Sequence, residues 1–203
     1  MEALKYLLIV AGGYLLGSVS ISIILSRMLG TDVRKKGSGN AGATNMARSY
    51  GLLAGFATLA GDFLKAAIVM YVGWRLCGDW GLMAGGMACT TGHCFPIFYD
   101  FRGGKGISVG AAIGLAIDWR VFIGIVIVFL IAAFLSKKAS LGSVCAAVAV
   151  VVFSVVLAAL GLIALPRLLL AIYAAALAVF QHRSNLKRLS EGTEPDFKAA
   201  DVK

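Results

Sequence analysis

Acidic residues are scarce in this chain of 203 residues: ten Asp and Glu stand against nineteen Lys and Arg, and only 14% of positions are charged. Soluble domains carry about 25% charged residues, so an ordinary solvated surface is excluded. Cysteine is equally uninformative. Cys77, Cys89, Cys94 and Cys145 are scattered without a C-x-x-C pair, and neither a disulfide scaffold nor a zinc site is indicated. His93 beside Cys94 resembles half of a metal site whose other ligands are missing, so no metal and no cofactor is expected. Apolar residues are abundant instead, at 60% with a mean hydropathy of +0.88. The chain reads as an all-α integral membrane protein, a polytopic helical bundle.

Crossing about 30 Å of hydrocarbon takes about 20 apolar residues. The first such run spans Ala3 to Ser26; it is too long for a signal peptide and has no clear cleavage site. The second runs from Leu52 to Leu76 and the third from Gly81 to Phe98, where Pro96 helps to end it. Ile107 to Leu135 is interrupted only by Asp118-Trp119-Arg120 and reads as one long helix or two short ones. Two are preferred, because Arg102/Lys105 and Lys137/Lys138 then share a side. Leu141 to Phe180 divides near Gly161 to Pro166, which gives about seven spans. The fourth, Ile107 to Ile117, is short for a crossing.

With that division, fourteen cationic residues from Arg27 to Lys203 lie on one face and only Lys5, Arg75, Arg120 and Arg167 on the other, with Lys65 inside a helix. The positive-inside rule puts the N-terminus outside and the C-terminus in the cytoplasm. The net charge of +9 therefore requires no nucleic acid; topology and anionic headgroups account for it. Residues 1–190 form one membrane domain and 191–203 a short polar tail. Small-residue spacings at Gly51/Gly55, Gly81/Gly85, Gly106/Gly110 and Gly110/Gly114 read as helix packing.

Three polar segments fall on the cation-rich face. Gly37 to Arg48 is a glycine-rich loop whose small residues suit close approach to an anion. Gly92 to Gly106 joins His93, an aromatic patch and a Gly103-Gly104-Lys105-Gly106 turn. The P-loop signature is absent, since Gly106 follows Lys105, and nucleotide binding is unsupported. Ser140, after Lys137 and Lys138, combines with His182 and Asn185, three residues apart on one helix face. Within the second span, Asp62 and Lys65 lie deep in the membrane and read as a structural ion pair or, alternatively, as a guide for substrate.

Gly-Ser-Gly-Asn-Ala-Gly-Ala-Thr-Asn-x-x-Arg at 37–48, Gly-His-x-Phe-Pro-x-Phe with Phe-Arg-Gly-Gly-Lys-Gly at 92–106, and His-Arg-x-Asn at 182–185 closely resemble the bacterial acyl-phosphate-dependent glycerol-3-phosphate acyltransferases. The resemblance covers nearly the whole chain, with small departures at Gln181, Leu186 and Ile107-Ser108-Val109. It implies transfer of an acyl group from acyl phosphate to the 1-hydroxyl of glycerol 3-phosphate, giving lysophosphatidate and phosphate at the cytoplasmic face of the bacterial inner membrane. Arg48, Lys105, His182 and Asn185 are then the expected catalytic residues. Ser38, Gly39, Asn40, Gly42, Thr44, Asn45, His93, Gly103, Gly104 and Ser140 are the expected substrate-binding residues. A transporter for a phosphorylated metabolite is the alternative, weakened by motifs that gather at one surface.

Overall fold

The computed structural model describes residues 1–198 and 200; Lys203 lies outside the described residues. Among them there is no strand, and the chain is a bundle of helices. Four helical stretches are long and apolar enough to cross a membrane: residues 2–28, 52–99, Trp119–Ser136 and Ala139–Ala159. A fifth is added if the bent pair Leu165–Gln181 and Arg183–Ser190 counts as one. Many large apolar side chains point outward, including Leu53, Phe134 and Leu135. That inversion suits a surface facing lipid.

The first apolar run is broken. Helices α1 (Glu2–Ser18) and α2 (Ile21–Met28) are separated by extended backbone at Val19 and Ser20. A break inside a membrane frees backbone groups that water does not reach. The Ser20 side chain accepts from the Ile23 N–H, and the Lys65 ammonium donates to the Val19 carbonyl at 2.7 Å. Asp62 Oδ1 lies 2.7 Å from Lys65 Nζ and completes the pair; both residues are buried. The ion pair therefore pins the broken helix.

Helix α3 (Ala43–Tyr50) leads into α4 (Leu52–Cys94), which contains non-helical backbone at Cys77 and Gly78, the latter at φ 59°. There the chain turns back. A Cβ on Gly73 or Gly81 would strike the other residue's carbonyl, and Gly85 packs on Val69, so arms 52–76 and 79–94 lie antiparallel. The second arm also meets α1 backbone to backbone, at Gly17 against Cys89 and Gly92 against Tyr14. Such contacts admit only glycine.

Helix α5 (Ile107–Ile117) is short, with Val109, Ile113 and Ile117 fully buried, and it stops inside the bundle. Its last carbonyls find a donor: Arg167 Nη1 reaches Ile117 O at 2.9 Å and Ala116 O at 3.2 Å, while Asp79 balances the guanidinium at 2.9 Å. Helices α6 (Trp119–Ser136), α7 (Ala139–Ala159), α8 (Leu165–Gln181) and α9 (Arg183–Ser190) complete the bundle. The Asp118 side chain caps α6 through Arg120 N–H, which explains why two helices form where one was conceivable.

The glycine spacings divide into three kinds. Gly55 packs on Ala47, Gly81 on Gly73, Gly85 on Val69 and Gly114 on Ile125, as packing requires. Gly51 and Gly106 are there for conformation, at φ 87° and 80°. Gly110 corrects the packing expectation: a Cβ built on it would meet nothing within 4 Å.

Candidate active site

The three polar segments converge. One pocket of 130 Å³ is lined by Ser38, Asn40, Gly42, Thr44, Asn45 and Arg48 from the first, and by His93 and Lys105 from the second. Ser140, His182, Asn185 and Arg188 complete it, together with Glu194 and Pro195. Gly39, Gly103 and Gly104 lie instead around a neighbouring polar cavity that also borders Ser38, Asn40 and Lys105.

Local chemistry revises how the glycine loop works. Backbone N–H groups of Ser38, Gly39 and Gly42 are already engaged, by Asn45 Oδ1, Lys36 O and Asn40 O. Those of Gly103 and Gly104 donate to Cys94 O and His93 O. These amides are therefore engaged within the protein itself. Gly103 and Gly104 are glycine for room, since a Cβ on either would collide with His93. The remaining donors from the first loop include the side chains of Ser38, Asn40 and Thr44, and the first-turn N–H groups of Ala43 and Thr44, which have no intrahelical partner.

Asn45 also departs from a direct substrate role. Its amide is wholly committed: Oδ1 accepts from Ser38 N–H at 2.9 Å, and Nδ2 donates to the carbonyls of Val33, Lys36 and Asn40 at 3.0–3.2 Å. It is the post around which residues 33–45 are wound. Asn45→Ala is expected to destabilise the protein by about 2 kcal/mol, through backbone groups left unpaired; thermal unfolding in detergent micelles measures it. His93 is similarly occupied. Its Nδ1 accepts from Lys65 Nζ at 3.2 Å, which joins the pocket wall to the buried ion pair.

The cationic side of the pocket is ordered by a carboxylate. Lys105 Nζ donates to Asn185 Oδ1, Asn185 Nδ2 donates to Glu194 Oε1 at 2.7 Å, and Arg188 Nε donates to Glu194 Oε2 at 2.7 Å. Burial pushes the Glu194 carboxyl upward, but the Ser140 hydroxyl, the Asn185 amide and the Arg188 guanidinium beside it outweigh burial and hold it below the usual range. Burial brings the Lys105 ammonium down to about 8, helped by the neighbouring Arg188, Arg48 and Arg183 charges and opposed by Glu194. Glu194 and Arg188 were not singled out from the sequence. Their only signal was an acid in a polar tail and another arginine among many. The start of the 191–203 tail is thus part of the pocket wall.

His182 closes the far side. Burial lowers its imidazole to about 4, so the ring is neutral near pH 7. Nδ1 lies 2.7 Å from the Ala178 carbonyl, which only accepts; Nδ1 therefore carries the proton and Nε2 keeps its lone pair. Ser140 Oγ is buried in the pocket wall, near enough to Glu194 to help hold that carboxyl down, yet it makes no hydrogen bond of good geometry among the described residues. Such a hydroxyl is suited to a ligand atom.

Below this pocket an apolar groove of 410 Å³ opens between α5, α6, α7, α8 and the first arm of α4. The two cavities share Leu59, Ile107, Ser108, Phe129 and Ser143, which form a neck. A wet cationic chamber thus opens directly into an oily one. The arrangement fits a molecule with a phosphate head and a long tail.

Comparisons with known proteins agree with this geometry. The family model for glycerol-3-phosphate acyltransferase matches residues 7–192. A glycerol-3-phosphate acyltransferase of Trichlorobacter lovleyi is 38% identical over 197 residues, covering 94% of this chain and 96% of the relative. That of Finegoldia magna is 37% identical over 183 residues, covering 89% and 90%. Among solved structures, the integral membrane glycerol 3-phosphate acyltransferase PlsY (YgiH) in its glycerol 3-phosphate form superposes with a TM-score of 0.88 at 33% identity, covering 95% of this chain and 96% of that one. Its lysophosphatidic acid form gives 0.86 at 32%, covering 95% of each. The chain belongs to the glycerol-3-phosphate acyltransferase family.

Proposed function

We propose that this protein transfers an acyl group from acyl phosphate to the 1-hydroxyl of sn-glycerol 3-phosphate, releasing 1-acyl-glycerol 3-phosphate and inorganic phosphate. The observation that carries this reading is the neck, where a cationic pocket and a tail-sized apolar groove share five residues. Relatives named for glycerol-3-phosphate acylation, and a neighbour solved in glycerol 3-phosphate and lysophosphatidic acid forms, support the acceptor and product. The donor rests on the resemblance of the three motifs and on an acid anhydride needing no cofactor for activation.

Arg48 and Lys105 neutralise substrate phosphate, Arg48 by a bidentate fork and Lys105 as a point charge. Ser38, Asn40, Thr44 and Ser140 supply neutral donors around it. Asn185 and Glu194 fix Lys105, and His182 Nε2 accepts from the attacking hydroxyl and orients it. The hydroxyl oxygen bonds to the acyl carbon, the bond from that carbon to the phosphate oxygen breaks, and phosphate departs. The proton leaves with it as hydrogen phosphate, because the buried His182 ring, lowered to about 4, is too weak a base to retain it. Positioning and charge neutralisation carry the rate.

The same reading gives seven membrane segments, with the antiparallel arms of α4 counted separately and short α5 included. The N-terminus is outside and the C-terminus in the cytoplasm, because fourteen of nineteen cationic residues then lie inside. The active site faces the cytoplasm of a bacterial inner membrane. Purified protein in detergent with glycerol 3-phosphate is expected to release lysophosphatidate and phosphate in equal amounts from palmitoyl phosphate, and neither from palmitoyl-CoA or palmitoyl-acyl-carrier protein. Product from a thioester overturns the donor assignment; no product from any donor overturns the reaction.

A further inference from the structure

Glycine weakens a helix unless close packing or an unusual backbone requires it. Of the described helical glycines with ordinary backbone, only Gly12 and Gly110 have open space where a Cβ would sit. Gly12 is exposed on the outer side of α1 and borders no cavity described above. Gly110 is in the middle of α5 and lines the apolar groove. One turn of helix, about 5 Å, separates it from Ile107 at the neck. Its lack of a side chain serves the cavity rather than the fold.

The far end of the groove is walled by aromatic rings. Phe63 and Phe122 both line it and meet edge to face, with centroids 6.2 Å apart and planes at 66°. Phe122 lies two turns along α6 from Phe129 in the neck, about 10 Å. An apolar cavity of about 150 Å³ takes benzene; on that scale 410 Å³ has room for roughly sixteen carbons. A long tail fits this volume, and Gly110 lines it one turn from the neck.

We propose that Gly110 is a specificity-determining residue for the acyl tail: its missing side chain keeps open the passage from the phosphate pocket into the groove that Phe63 and Phe122 close. This rests on the reading of the groove as the acyl site. The carbons next to the carboxyl group run over Gly110, so a side chain there excludes long tails and spares short ones.

The test compares Gly110→Ala, Gly110→Leu and, as a control, Gly12→Leu with the unsubstituted protein. Calorimetry in detergent measures binding of inorganic phosphate, butyl phosphate and dodecyl phosphate. Gly110→Leu is expected to weaken dodecyl phosphate at least about 10-fold, with Gly110→Ala intermediate, while inorganic phosphate binds unchanged and Gly12→Leu has no effect. Turnover of palmitoyl phosphate falls in parallel with dodecyl phosphate affinity. Equal weakening across all three phosphates, unchanged dodecyl binding in Gly110→Leu, or unsubstituted protein that binds dodecyl no tighter than butyl phosphate overturns the inference. Failure of palmitoyl phosphate as a donor, with the length-dependent binding intact, overturns the proposed reaction and leaves the tail passage standing.

Discussion

Lys105→Ala lowers kcat/KM for acyl transfer about 100- to 1,000-fold, the usual effect of removing a preorganised charge donor from an active site. Lys105 donates to Asn185 within a pocket that also holds Arg48, His182 and Ser140. Without it, the phosphate loses a cation where water compensates poorly. The pH profile provides a separate reading. With its pKa lowered to about 8, Lys105 is charged below pH 8 and loses its proton above it. In the free enzyme, kcat/KM for glycerol 3-phosphate therefore declines as pH rises through about 8. Lys105→Arg removes that limb from whatever activity it retains, because guanidinium stays charged. A limb unchanged in Lys105→Arg, or full activity in Lys105→Ala, contradicts the role.

Asp62→Ala destabilises the protein by about 3–5 kcal/mol, because it strands the Lys65 ammonium in a buried site. Both side chains are at most 5% exposed, which rules out rescue by solvent. The double variant Asp62→Ala, Lys65→Met removes the stranded charge and is expected to be more stable than Asp62→Ala alone. It does not recover completely, since Val19 O and His93 Nδ1 lose their donor. A double-mutant cycle of unfolding in detergent measures the coupling; strict additivity would show that the pair does not act as a unit.

These two sites differ in how far they could be read from the residues. Arg48, Lys105, Ser140, His182 and Asn185 were recognisable because polar segments in an apolar chain have few other uses, and the structure brings them to one pocket. The Asp62–Lys65 pairing was also legible, from charge at i and i+3 deep in a helix. Its purpose was not. Val19 offers no Pro or Gly to announce a break, so the carbonyl that Lys65 satisfies is visible only once α1 and α2 are seen to part.

Backbone hydrogen bonding was the other hidden quantity. A Gly-Gly-Lys-Gly turn reads as an anion cradle, but whether its amides are free depends on carbonyls distant in the chain or across a turn. Here His93 and Cys94 take those of Gly103 and Gly104. Glu194 was hidden for a related reason: a tail with little hydrophobicity carries no pattern that says where it folds back. The Cys77–Gly78 turn was legible as a division between spans, and the glycine pairing of Gly73 with Gly81 explains how the two arms come so close.

The outer wall of the groove has a kinetic consequence. Phe122, Ile125, Val126, Phe129 and Leu130 all belong to α6, of which only 11% is buried within the protein. A tail in that groove is one thin helix away from the surrounding lipid. On the proposed reaction the acyl donor reaches the enzyme by lateral diffusion, and its working concentration is a mole fraction in the bilayer, whereas glycerol 3-phosphate is counted in moles per litre of the aqueous phase. Diluting the donor with inert lipid at constant total amount slows such an enzyme, and diluting the whole suspension with buffer leaves the donor step unchanged.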